Sequence, residues 1–374
     1  MNSGADQARP ALAWVQALRN PRLALAWSPD EWQRVLRLGR RTRLLGRLAA
    51  ALQAQGLQDQ LPERVRRHLV AEQRVSSYRT QAALWAMERV AITLGGAGYP
   101  IVLLKGGAYV AQGLPIAAGR LPSDVDMLVP RANLEDATAR LTAAGWVALA
   151  MDGHDRRYYE EWSHEVPPMR HALHAIELDL HHNILPPVAR THVDAALLLQ
   201  RVRPSALPGW WVLDPIDQVL HSAAHLFHDS EPRDRLRDLV DIDGLVAAYG
   251  GEADFWPRLA ARAIELGLTE SLALACWFAQ RFCGTAVPAK TLDDVSRLGL
   301  PAWRRWWLLP MLERLLVPLE PDETALPWSL QWACAVFLAR YQVHRLPLRH
   351  QLPHIWHKLS GDQAGADKAP DANE

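Results

Sequence analysis

Asp124-Val125-Asp126 sets two carboxylates at alternate positions at the head of a short apolar run, Val125–Val129. In a strand both acids lie on one side while Val125 and Met127 turn to the other. Carboxylates held that close repel each other unless a cation sits between them or one is protonated. Mg²⁺, or Mn²⁺ in its place, bound by a few carboxylates and by substrate phosphates is the usual answer in phosphoryl-transfer sites. A third acid on a neighbouring strand, Asp179 or Glu177, would complete a two-metal clamp. Upstream, Lys105-Gly106-Gly107 follows the apolar run Ile101–Leu104. Glycines between a strand and a helix let backbone N–H groups approach a triphosphate, and a helix N-terminus adds partial positive charge. Lys105 and Arg120 are the candidates to neutralise a leaving pyrophosphate. Lys105 stands out because the basic residues are nearly all Arg and the other lysines are only Lys290, Lys358 and Lys368. A compact ammonium is what that position asks for.

The elements around these residues follow from periodicity. Ser28-Pro29-Asp30-Glu31 is a helix start, and Leu36, Leu38, Leu44, Leu45, Leu48 and Leu52 recur at helical spacing to about Gln55. Pro62-Glu63 opens a run without Gly or Pro up to Gly95, consistent with one long helix carrying Val65, Leu69, Val75, Leu84, Met87 and Val90. The pattern then changes to α/β. Strands are expected at 101–104, Val125–Val129, Trp146–Ala150 and His174–His182, with helices near Ala108–Gln112 and at Asn133–Ala143. In the last strand Ile176, Leu178 and Leu180 alternate with Glu177, Asp179 and His181. From Pro186 the pattern returns to helices at about Val193–Leu199, Pro215–Phe227, Asp234–Ala248, Trp256–Leu266 and Ser271–Phe282, and further ones to Leu359. Met1–Ala8 and Ser360–Glu374 are polar tails, expected to be disordered.

Composition narrows the partners. The formal net charge of zero gives no global pull toward long nucleic acid or an anionic membrane. No stretch approaches the roughly 18 apolar residues of a membrane span. No signal peptide is expected at Met1–Pro10. Cys276, Cys283 and Cys334 fit neither a disulfide framework nor a zinc pattern, so the expected setting is a reducing cytoplasm.

Taken together, the strand-Gly-Gly, the Asp-x-Asp strand and the later acidic strand resemble the nucleotidyltransferase superfamily of DNA polymerase β. The segments Leu104-Lys105-Gly106-Gly107, Arg120…Ser123-Asp124-Val125-Asp126-Met127-Leu128-Val129 and Glu177-Leu178-Asp179-Leu180-His181 are more closely similar to the bacterial uncharacterised nucleotidyltransferase family. That resemblance implies an α+β fold. A nucleotidyltransferase core of small mixed sheet and helices at 96–185 would be flanked by helical regions at 1–95 and 186–359, with a tail at 360–374. It implies Mg²⁺-dependent transfer of NMP from an NTP, with Asp124, Asp126 and Asp179 as metal ligands and Gly106 and Gly107 in the phosphate loop. Lys105, Arg120 and Ser123 would join the nucleotide contacts. Asp179 is preferred to Glu177 because it directly precedes the Leu180-His181 that closes the motif. The acceptor is open: a small molecule, a peptide natural product or a protein. On this reading Asp126→Asn removes transfer and leaves the fold intact.

Other residues carry rival readings. His181 and His182 are expected to bond neighbours at a strand end rather than metal. His221 and His225 share a helical face, and with His228-Asp229 they suggest a metal-dependent phosphohydrolase of the His-Asp type. Histidines lining a helical interface toward the nucleotide site are the preferred reading. A catalytically degenerate protein that binds nucleotide or a partner is the other alternative. Arg235–Asp241 alternates charge and reads as an interface ion-pair network. Trp303, Trp306 and Trp307 are expected to pack between C-terminal helices.

Overall fold

The computed structural model describes residues 14–149, 163–173, 176–228, 233–319 and 327–345. The expected disordered tails, Asp229 and the first residues of the His174–His182 strand lie outside these ranges. The fold is mixed α+β, mostly helical, with one seven-stranded mixed sheet.

Helix α1 (Gln16–Arg19) is followed by α2 (Pro29–Arg41), whose start is a capping box. The Ser28 hydroxyl accepts from the Glu31 amide while the Glu31 carboxylate accepts from the Ser28 amide. The leucine-rich segment to Gln55 is not continuous. Arg43 adopts a left-handed φ of 56°, which breaks the helical path before α3 (Leu45–Ala54). The run without Gly or Pro forms α4 (Glu63–Leu94) as one helix. Val65, Leu69, Met87 and Val90 face the core, whereas Val75 is on the wet side.

The α/β segment comprises β1 (Val102–Leu103), α5 (Lys105–Ala111), β2 (Asp124–Leu128), α6 (Leu134–Ala143), β3 (Trp146–Ala148), β4 (Met169–His171) and β5 (Glu177–His181). The short helix starts earlier than its apolar residues suggest, at Lys105 itself. After α7 (Ala195–Leu199), two strands from beyond residue 185 join the sheet: β6 (Arg203–Pro204) and β7 (Trp211–Val212). The strand order is β3-β4-β5-β2-β1-β7-β6, with β2/β5 and β1/β7 parallel and the remaining pairs antiparallel. The side chains of Val125, Met127, Leu178 and Leu180 are fully buried in the common apolar core.

Helices α8 (Pro215–His228), α9 (Leu236–Tyr249), α10 (Phe255–Glu265), α11 (Thr269–Phe278), α12 (Ala289–Gly299), α13 (Ala302–Leu316) and α14 (Trp328–Arg345) complete the described chain. Of these, α8 also contacts α5, bringing the helical region to the sheet. Cys276 and Cys283 are buried free thiols. The expectation for the tryptophans is corrected in part. Leu308, Met311, Leu312, Leu315 and Leu316 take the buried face of α13, which leaves Trp303 66% and Trp306 83% exposed while Trp307 packs against the core. No helix among the described residues is long and apolar enough to cross a membrane.

Candidate functional site

Strands β2 and β5 pair in parallel with Asp124 opposite Glu177 and Asp126 opposite Asp179. Alternation sends Val125, Met127, Leu178 and Leu180 into the core, so the acids share the other face. The two candidates for third acid separate here. Glu177 bonds Arg170 Nε at 2.6 Å and does not line the cavity at this sheet edge; Asp179 lines it together with Asp124 and Asp126.

The cavity, about 290 Å³, sits at the lower end of the range for small-molecule sites. Of the residues singled out by sequence, Lys105, Arg120, Ser123 and His225 also reach it, whereas Gly106, Gly107, His181 and His221 do not. The glycines are not an open loop as expected. Both are buried in the first turn of α5. A Cβ on Gly106 would collide with the Arg120 guanidinium, and one on Gly107 would press Leu103 Cδ2 at 3.3 Å. Close packing thus constrains Gly106 strongly, whereas at Gly107 Leu103 would have to yield by a few tenths of an ångström.

Charge in the cavity is unevenly compensated. One oxygen, Asp126 Oδ1, accepts from Lys105 Nζ at 2.8 Å and from His181 Nε2 at 3.1 Å. Burial opposes the charge on Asp126, but the Lys105 ammonium and the His181 hydrogen bond outweigh it and hold this carboxyl well below its ordinary range. Lys105 in turn is raised, the pull of Asp126 overcoming its burial. Asp124 is raised by burial and then by the charge of Asp126. Asp179 is the least compensated of the three. Burial and the Asp126 charge push it up to about 7, and its Oδ1 is buried without a hydrogen-bond partner. An orphaned carboxylate oxygen beside two further acids suits a hard divalent cation.

This imbalance yields a prediction. Asp179 binds a proton more tightly in the folded protein than at its ordinary value of 3.8, so its own contribution to native stability falls as pH rises from about 4 to about 7. A rise of that size corresponds to about 4 kcal/mol, which solvent at this partly exposed carboxyl reduces to about 2. Asp179→Asn is expected to raise the Tm of the metal-free protein above pH 7 and to gain little near pH 4. Thermal melts in chelator across that range check it, and a variant less stable than wild type at pH 8 would overturn it.

The wall facing the acids is basic and was largely missed in the sequence. Arg43, from the turn between α2 and α3, and Arg235 and Arg237, at the start of α9, line the cavity. Arg120 is held by Asp241, with its Nη2 3.2 Å from Oδ2, and its guanidinium lies 5.7 Å from the centre of the Tyr109 ring. Asp238 pairs with Arg235 and Arg237. The charged run 235–241 is thus an ion-pair network as expected, and it also borders the cavity. Nothing local marks Arg43, because its role depends on a left-handed turn without glycine.

The histidines divide. His225 is half-buried at the cavity, His221 is buried behind it, and burial followed by the Lys105 charge lowers both, His221 to about 3. His228 Nε2 lies 3.1 Å from Ser271 Oγ. His182 Nε2 lies 3.1 Å from Ser163 O and 2.6 Å from Arg131 Nη1, the bonded strand-end role expected of it. Among the described residues one group of three brings possible ligand atoms within 4.8 Å of one another: His164, Glu165 and His181. Neither His221, His225 and His228 nor the three aspartates meet that spacing.

The family model for an uncharacterised nucleotidyltransferase matches residues 28–284, from the start of α2 to the end of the turn after α11. No curated protein and no solved structure matches the chain. The family match takes in the whole sheet, Asp124, Asp126 and Asp179 and the cavity arginines, well over half of the sequence, and the chain belongs to this uncharacterised nucleotidyltransferase family.

Proposed function

We propose that the protein transfers a nucleoside monophosphate from an NTP to an acceptor with release of pyrophosphate. On this reading it is a member of the DNA polymerase β-like superfamily, with a core at about 96–185 between helical regions. The observation that carries the reading is the cavity itself. Three carboxylates on paired parallel strands share a cavity of about 290 Å³ with Arg43, Arg235 and Arg237. Asp124, Asp126 and Asp179 would hold Mg²⁺ or Mn²⁺, which when bound supplies charge neutralisation and polarises the phosphate under attack. The arginine wall binds the β- and γ-phosphates and stabilises the charge that grows on the leaving pyrophosphate. An acceptor hydroxyl or phosphate attacks the α-phosphate in line as the bond to the pyrophosphate oxygen breaks. Ser123 and Lys105 lie where they can orient the nucleotide. The acceptor is a small molecule, a peptide natural product or a protein.

A degenerate, nucleotide-binding reading has one specific observation behind it. Lys105 already occupies Asp126 Oδ1, one of the two oxygens that this carboxylate could offer a cation.

Thermal denaturation with each NTP, with and without Mg²⁺, tests the binding half without knowledge of the acceptor. Ligand at about 100 times its Kd stabilises by about 2.7 kcal/mol, a shift of several °C. The shift is expected to need Mg²⁺ and to vanish in Asp124→Asn/Asp179→Asn. No shift with any NTP would sink the reading. Binding without pyrophosphate release across an acceptor panel would select the degenerate alternative.

A further inference from the structure

The nitrogen-rich group His164, Glu165 and His181 lies beside the aspartates and differs from them in ligand chemistry. His181 is buried on β5, and the strand-like segment carrying His164 and Glu165 runs antiparallel to it. The His182 amide donates to His164 O at 2.8 Å, the Val166 amide to Leu180 O at 2.9 Å, and Glu165 bridges His181. The three side chains are thus fixed by backbone pairing rather than by a free loop. Glu165 Oε2 stands 3.3 Å from His181 Nδ1, and the two imidazoles are 5.3 Å apart between ring centres.

Two details point to a missing electrophile. His164 Nδ1 and His181 Nδ1 are both buried without a hydrogen-bond partner. Orphaned polar atoms of this kind are rare and costly in native proteins. His181 also bonds Asp126 through its other nitrogen, Nε2. A carboxylate behind the distal nitrogen is the usual backing of a metal-bound histidine, since it fixes the tautomer with the proximal lone pair free. A proton on His181 Nδ1 would answer Glu165 but leave His164 Nδ1 unsatisfied; a cation would take one ring nitrogen from each imidazole and an oxygen from Glu165.

We propose that His164, Glu165 and His181 form a binding site for a borderline divalent cation of the Zn²⁺ class, separate from the carboxylate site for Mg²⁺. Zn–N bonds of about 2.0–2.1 Å set tetrahedral ligand atoms about 3.4 Å apart. The candidate ligand atoms lie within 4.8 Å of one another. Two imidazoles and a carboxylate favour Zn²⁺ over Mg²⁺, which prefers all-oxygen shells. Glu165 also lines the cavity that holds Asp124, Asp126 and Asp179, so the two sites adjoin. Through His181 the bound cation fixes the orientation of Asp126, coupling the two sites.

The test is calorimetric titration of the chelator-treated full chain with Zn²⁺ in excess Mg²⁺, with Co²⁺ absorption as a reporter of coordination. One Zn²⁺ per chain is expected, with visible Co²⁺ bands of a four-coordinate N/O site. His164→Ala and Glu165→Gln are each expected to weaken binding about tenfold or more and to remove the bands. Asp124→Asn/Asp179→Asn should retain them. Zn²⁺ binding unchanged in Glu165→Gln, binding lost in the aspartate double variant, or no binding against Mg²⁺ would each overturn the proposal. Circular dichroism reports folding, and Glu165→Gln, at a half-buried position, decides the matter if His164→Ala unfolds. Zn²⁺ binding is read without nucleotide, so its failure is distinguishable from failure of the proposed transferase activity.

Discussion

Asp126→Asn is expected to remove Mg²⁺-dependent NTP stabilisation and to lower transfer by about a thousandfold, and it is also expected to destabilise the protein. The last outcome departs from the sequence-based expectation of an intact fold, and the reason is the company Asp126 keeps. It is buried, with its Oδ1 accepting from both Lys105 and His181. An amide cannot balance the Lys105 ammonium, and breaking a buried pair from one side costs about 3–5 kcal/mol. The variant therefore confounds loss of chemistry with loss of fold. Lys105→Met/Asp126→Asn separates them, because removing the stranded cation is expected to recover most of the stability and none of the nucleotide response. Urea midpoints and NTP-dependent melts on the wild type, both single variants and the double variant measure this. A double variant that recovers Mg²⁺-dependent binding would exclude Asp126 as a ligand; a stable Asp126→Asn would show that Lys105 finds another partner or escapes to solvent.

What could be read in the sequence was local. The Asp124-x-Asp126 pair, the alternation of β5 and the length of α4 are written in consecutive residues, and the structure places each close to the expected position. What escaped depends on contacts between distant segments. β6 and β7 span two residues each, one of them Pro204, so they have no periodicity to detect. Arg43 needs a left-handed turn that no glycine announces, and it reaches the cavity beside Asp124 where α3 packs against the segment leading into β2. Ser163-His164-Glu165 has no pattern of its own; its meaning comes from pairing with β5. Gly106 and Gly107 stand out in the sequence by their spacing as a phosphate loop, and the structure adds a packing role that the spacing does not show, the close approach of Arg120 and Leu103. The charge run 235–241 was recognised as an ion-pair network, but its main partners, Arg47 and Arg120, lie more than a hundred residues upstream.

That network carries the second large prediction. Asp241 sits between two buried guanidiniums, with Oδ1 3.0 Å from Arg47 Nη2 and Oδ2 3.2 Å from Arg120 Nη2. Arg47 also donates through Nε to Ile116 O at 3.1 Å, so one carboxylate joins α3, α9 and the chain leading into β2. Burial, then Asp241 acting against it, decide the state of Arg47, and burial wins: its pKa is lowered even with the carboxylate present. Asp241→Ala removes the carboxylate that pairs with both arginines and is expected to cost about 3–5 kcal/mol, a fall in Tm on the order of 10 °C. Glu63→Ala, which breaks the exposed pairs to Arg66 and Arg67, is the control and is expected to leave the urea midpoint close to that of wild type. Urea denaturation of the three proteins reads the difference. The result also bears on Arg120. If Asp241→Ala is strongly destabilising, Arg120 is a structural cation that borders the cavity, and the polyphosphate is left to Arg43, Arg235 and Arg237. If the loss is under about 1 kcal/mol, the guanidinium has found solvent, and Arg120 returns as a phosphate ligand in its own right.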